Sequence, residues 1–210
     1  MEDIILPNAS TRHTPANHNT TYPPTEAQHR QAKTWWLTGL SGAGKSTLAY
    51  ALSYSLLERG ETACILDGDE LRRHLSQDLG FSDADRLENV RRTAAVARLL
   101  NDQSIHAIVA LISPTHECRK IARHIVTASR FIEIHVSTPL DVCAKRDPKG
   151  LYARAMQDDT LLLTGLRAPY EEPEQPDLRI DTSRTPVSRA VRHLLQYAQD
   201  KKNIHNTYRK

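Results

Sequence analysis

The stretch GLSGAGKST, Gly39 to Thr47, constrains this chain more than any other, because it fits G-x-x-x-x-G-K-[ST] directly behind the apolar run WWLT. A loop of this kind needs glycines. The backbone must turn tightly and come close to an anion, and its N–H groups then cradle phosphates. The motif also dictates its surroundings, with a strand before it and a helix after it. Gly39, Leu40, Ser41, Gly42, Ala43, Gly44, Lys45, Ser46 and Thr47 are therefore the candidate ATP-binding residues. Lys45 is placed to reach the β- and γ-phosphates, and the Ser46 hydroxyl to ligate Mg²⁺ brought in with ATP.

The rest of the chain supplies that context. TWWLTG reads as a strand, and Ser46 to Arg59 carries Leu48, Leu52 and Leu56 at helical spacing before Gly60. TACILD, SIHAIVALIS, RFIEIHVST and LRIDTS read as further strands, and a closing helix is expected from about Pro186 to Lys202. Strands separated by helical stretches imply right-handed crossovers and a parallel sheet. The fold class is thus α/β, of the P-loop nucleoside triphosphate hydrolase-like kind, with helices on both faces of the sheet and a mobile lid. Residues 1–32, rich in Asn, Thr, Pro and His, read as an extended or disordered arm; 33–202 read as the P-loop domain, and 203–210 as a tail. Within the domain, about 147–176 carries too much Pro, Gly and charge for a core element and reads as the lid, with room for one short helix.

Composition narrows the partners. Hydrophobic residues make up 39% and charged residues 25% of the 210, and no apolar run reaches the roughly 18 residues of a membrane span. The net charge of +3 comes from arginines spread along helices, and only 5% of residues are aromatic, so no nucleic-acid platform is expected. The acidic start lacks a secretory pattern, and three cysteines (Cys64, Cys118, Cys143) suit reduced thiols in a cytoplasmic setting. No Asn-Lys-x-Asp is present to read guanine.

In parallel α/β folds ligands gather at the carboxyl ends of strands. Asp67 and Asp69, in LDGD, fall at such an end. One can serve Mg²⁺ and the other can take a proton from an attacking hydroxyl. Ser82 with Asp85 forms a capping box that starts a helix near Asp83, and Arg86 and Asn89 share one face of it. With Arg72 they suit a doubly anionic acceptor, although a solvated charged face explains such arginines equally well. Ser113-Pro114 reads as a strand end capping a helix, with Pro at its first position.

Taken in order, GLSGAGKST, LDGDELR, DLGFSDADRLENVRR, LISP, FIEIHVSTPLDVC, RDPKGLY and TGLRAPYEEP resemble the adenylylsulfate (APS) kinases over about residues 20 to 182. The resemblance implies transfer of the γ-phosphoryl of ATP to the 3′-hydroxyl of APS, giving PAPS and ADP with Mg²⁺. It implies Lys45, Asp69 and Ser113 as catalytic residues, Asp69 as proton acceptor and Ser113 as a transient phosphoryl acceptor in some members. Ser46 and Asp67 would serve the metal. Arg72, Arg86 and Asn89 would hold the phosphosulfate end, Phe81 would stack on the acceptor adenine, and Ile112 and Ser113 would line the same site. Arg146, on the ATP side, and Lys149 belong to the lid. Members are commonly dimers, and association with sulfate adenylyltransferase is a further expectation.

Four positions depart from the family. Leu163 replaces a phenylalanine closing the far side of the acceptor adenine, Leu161 a lysine, and His116 and Met156 arginines. Losing one face of a base stack costs about 1–3 kcal/mol, part of which a leucine recovers by burial. Two alternatives therefore stay open: a kinase of this family acting on another nucleotide, and a non-catalytic ATP-binding partner of a sulfate-activating complex.

Overall fold

A computed structural model describes residues 32–207; apart from Ala32, the expected N-terminal arm lies outside them. β1 (Thr34–Thr38) runs into the glycine-rich loop and then α1 (Lys45–Leu57). β2 (Ala63–Asp67), α2 (Gly68–His74), α3 (Asp83–Asp102), β3 (His106–Ala110), α4 (His116–Val126) and β4 (Phe131–Val136) follow. The chain ends with α5 (Leu140–Arg146), α6 (Leu151–Gln157), β5 (Leu178–Ile180) and α7 (Val187–Thr207). The five strands form one sheet in the order β2-β3-β1-β4-β5, every neighbouring pair parallel. β1 is therefore central, and the loop after it opens between β3 and β4.

Period-two alternation sorts the core into two layers. Trp35 and Leu37 point to the layer shared with α1 and α7, where Leu48, Leu52, Leu56, Leu194 and Leu195 are buried. Trp36 points the other way, onto Phe131 and the α3–α4 layer of Val90, Ala94, Ala97 and Ala122. Its indole and the Phe131 ring lie 5.5 Å apart, within the range of favourable aromatic pairs. Small residues on α3 and α4 let those helices approach each other closely.

Three expectations need correction. Ser113 does not cap α4. Thr115 does, its hydroxyl accepting from Cys118 N at 3.2 Å, because Ser113 sits in the left-handed region at φ 46° and its hydroxyl is engaged elsewhere. α7 continues past Lys202 to Thr207. The 147–176 segment does supply core: Tyr152, Ala155 and Leu163 are buried in the α1–α7 layer. The apolar faces of its short elements are hidden from a pattern search by the charged residues between them. Cys118 and Cys143 are buried free thiols, Cys64 a partly buried one. Among the described residues, no helix is long and apolar enough to cross a membrane.

Candidate active site

The glycine-rich loop is held by crowding as much as by hydrogen bonds. At Gly39, φ is 146° and a Cβ would stand 2.4 Å from the Val136 carbonyl oxygen. At Gly42, φ is 73° and a Cβ would meet the Cys143 carbonyl oxygen at 2.8 Å. Neither position tolerates a side chain. Residues from distant elements brace the same loop: Thr138 and Thr182 both donate to the Ala43 carbonyl, at 3.0 and 2.8 Å, and the Tyr152 hydroxyl donates to Ser41 O at 3.0 Å. Sequence reasoning missed these three. The usable signal for the threonines was their place just past the carboxyl ends of β4 and β5.

Lys45 opens α1 and folds back over the loop, its ammonium donating to Gly39 O at 2.9 Å and Leu40 O at 2.7 Å. Burial, and after it the Lys149 charge, lower its pKa to about 8, against the pull of Asp67 and Asp69. Next to Lys45 on the first turn of α1, Ser46 Oγ donates to Asp67 Oδ2 at 2.6 Å. The other Asp67 oxygen caps α2 by accepting from Asp69 N at 3.0 Å. A hydroxyl and a carboxylate so placed are hard oxygen donors that suit Mg²⁺, which usually takes only one or two protein carboxylates and fills its octahedron with phosphate oxygens and water. Among the described residues no group of three or more His, Cys, Asp or Glu could hold a metal, so an ion at this pair would need ligands from a nucleotide.

Asp69 stands on the first turn of α2 and is ion-paired to Lys149 from the 147–176 segment. Arg72, three residues on, donates to Gly80 O at 2.7 Å, and its guanidinium lies 4.3 Å from the Phe81 ring centre. Arg86 lies 5.8 Å from the same ring. It donates to Phe81 O at 2.9 Å, Thr164 Oγ1 at 3.0 Å and Leu162 O at 3.2 Å. Two cations thus share one exposed aromatic ring, and burial followed by repulsion from Arg86 lowers the pKa of Arg72. Such a cluster is short of negative charge, and an anion of two or more charges would relieve it. Asn89, one turn further on α3, is buried with no partner for its side-chain oxygen.

At the floor, Thr38 Oγ1 donates to Ile112 O at 2.6 Å and Trp36 Nε1 to Ser113 Oγ at 3.0 Å. Ser113 is only 2% exposed. Arg146 donates to Thr182 Oγ1 at 2.7 Å and Thr182 O at 3.1 Å beside the glycine-rich loop. Of the departing positions, Leu163 is buried in the core, Leu161 packs at its edge, and Met156 is exposed. His116 N donates to Glu171 at 2.5 Å. The structure therefore gathers the loop, Asp67, Asp69, Arg72, Phe81, Arg86 and Lys149 at one end of the sheet, with Ile112 and Ser113 beneath β1's end. It leaves Leu163 turned inward.

The Lys45 shift carries a prediction. At pH 7 the ammonium is mostly charged; a triphosphate beside it favours the charged form, so its pKa rises on binding. ATP affinity is expected to be nearly flat in this group below pH 7 and to fall as pH rises past 8, by up to tenfold per unit. Calorimetry at pH 8 in buffers of different ionisation enthalpy should show uptake of about half a proton per ATP, and less at pH 7.

Comparison with known proteins gives one answer. The family model described as Adenylylsulphate kinase matches residues 31–181. An adenylyl-sulfate kinase of Paraburkholderia xenovorans is 52% identical over 162 residues, covering 77% of this chain and 90% of that one. One of Bacteroides thetaiotaomicron is 48% identical over 161 residues, covering 77% and 80%. A solved structure of the Mycobacterium tuberculosis APS kinase CysC in complex with AMPPNP and APS matches with a TM-score of 0.76 at 44% identity, covering 80% of this chain and 98% of that one.

Proposed function

Because the chain belongs to the adenylylsulphate kinase family, we propose that it transfers the γ-phosphoryl of ATP to the 3′-hydroxyl of adenylylsulfate, giving PAPS and ADP. The observation that carries this is the place of Asp69 on the first turn of α2. Its backbone N–H donates to Asp67, the partner of Ser46 behind the glycine-rich loop, its carboxylate pairs with Lys149, and Arg72 of the acceptor cluster lies one turn on. In this reading Lys45 and the loop's N–H groups bind the β- and γ-phosphates. Arg72 and Arg86 hold the anionic end of the acceptor, Phe81 offers a face to its base, and Asn89 orients it. Asp69 accepts the proton of the attacking hydroxyl as the new P–O bond forms. Phosphoryl transfer asks mainly for positioning and charge stabilisation, which these groups supply. Ser46 and Asp67 would hold Mg²⁺, which when bound neutralises charge on the phosphate oxygens. Arg146 and Lys149 would close over the phosphates as part of a mobile lid.

Ser113 is read here as floor and not as a covalent acceptor, since its hydroxyl is buried and taken by Trp36. A second acceptor nucleotide is the alternative that the inward-turned Leu163 favours. The active species is proposed as a cytoplasmic homodimer that associates with sulfate adenylyltransferase, which light scattering and co-purification would test. The deciding assay offers Mg-ATP with APS and then with pyrimidine nucleotide analogues, following ADP and phosphorylated product. PAPS formation with APS supports the reading, and ADP release only with another nucleotide overturns the choice of acceptor.

A further inference from the structure

Arg119 is a buried guanidinium, 3% exposed, at the end of the first turn of α4, and the phosphoryl-transfer machinery above makes no use of it. Its Nε pairs with Glu133 on β4 at 3.1 Å. Nη1 donates to Ser113 O at 2.8 Å, and Nη2 lies 3.0 Å from His116 Nδ1. The Tyr170 ring covers the guanidinium with its centre 6.0 Å away. Four separate pieces of chain therefore meet on one planar cation: the sheet, the Ser113 turn, the start of α4 and the root of the 147–176 segment.

The same two chain segments are laced together around it. Glu171 N donates to Pro114 O at 2.8 Å, and the Glu171 carboxylate accepts from His116 N. The Tyr170 hydroxyl lies 3.0 Å from Thr38 Oγ1, the hydroxyl that also donates to Ile112 O. Ser113 at the centre holds a left-handed backbone that a non-glycine residue keeps only when its surroundings over-determine it. Glu133 does not depend on Arg119 alone, since Arg123 also reaches it at 3.1 Å. The planar fork of Arg119 is what makes several of these bonds at once, which a lysine cannot reproduce.

We propose that Arg119 is a positioning residue for the acceptor site: through Ser113 O and Tyr170 it locks the Ile112–Ser113 floor and the root of the lid into one unit. This rests on the acceptor being APS at that floor. Arg119→Lys keeps the charge opposite Glu133 and removes the fork. The expected result is an acceptor KM raised about tenfold, equivalent to about 1.4 kcal/mol, with the ATP KM changed less than twofold. A purely structural role would lower Tm while leaving both KM values alone or moving them together, and either result overturns the proposal. If the lysine variant does not fold, His116→Ala removes one Arg119 partner at a half-exposed site. A raised acceptor KM there supports the proposal and an unchanged one overturns it. Wild-type protein that turns over another nucleotide and not APS would instead overturn the acceptor assignment, with the KM split then read on that nucleotide.

Discussion

Lys45→Met is expected to lower kcat by about 10²–10³, the usual loss when one preorganised donor to a developing charge is removed, and to leave the stability of the protein little changed or raised. The two halves belong together. Lys45 is 9% exposed and its pKa is brought down to about 8, chiefly by burial. Folding therefore disfavours its charged form relative to the unfolded chain. The sign follows: the folded state binds fewer protons at this group, so its cost to stability is present at neutral pH and relieved as pH rises from about 8 toward 10.5. Methionine fills much of the same volume without a charge to desolvate, and replacing buried charge by apolar side chains is often neutral or stabilising. Some loss is expected from Gly39 O and Leu40 O, which give up the ammonium. A thermal scan should place the variant within a few degrees of wild type or above it, while single-turnover ADP formation collapses. A large fall in Tm together with the activity would mean that the lysine is there to close the loop and not to meet a phosphate.

This donor half is also what the amino-acid sequence declared most plainly. Every residue of the loop lies within one short stretch, its glycines are forced by contacts with Val136 and Cys143, and the strand and helix around it follow from local periodicity. Ser82 was legible as the cap of α3 for the same reason, since the bond to Asp85 N spans three residues. The acceptor half was different. Arg72, Phe81 and Arg86 meet only because the chain between α2 and α3 brings the Phe81 ring within 4.3 and 5.8 Å of the two guanidiniums, and no spacing rule encodes that. Helical spacing and position had put Arg72 and Arg86 forward as one of two open readings, family resemblance alone supplied Phe81, and the geometry then gave the three a shared physical reason. β3 ends at Ala110 although the apolar run continues to Ile112. Burial alone cannot distinguish a strand residue from a floor residue, and the backbone leaves extended geometry at Ser113. Tyr152, Thr138 and Thr182 reach the loop from far along the chain, which single-sequence pattern cannot see.

Asp69→Asn is expected to lower kcat by about 10²–10⁴, the range for removing a positioned general base, with ATP binding changed less than twofold. The substitution is nearly isosteric. The bond that matters to the fold at this position is from its backbone N–H to Asp67, which asparagine keeps, so the cap of α2 and the Ser46–Asp67 pair stay in place. What changes is charge. Lys149 loses its ionic partner, and Lys45 and Arg72 each lose a nearby negative group. Those losses leave Lys45 and Arg72 freer for anions, so acceptor and donor KM should hold or fall while kcat drops. That combination separates a proton acceptor from a binding residue. The size of the drop carries further information. A loose, metaphosphate-like transition state draws little on the nucleophile and asks little of a base, so a loss near 10² would indicate that the hydroxyl proton leaves late. A loss near 10⁴ would indicate that the O–H bond is well broken when the γ-phosphoryl moves. An unchanged kcat would remove Asp69 from the chemistry and leave it as the anchor that holds Lys149, and with it the lid, over the donor loop.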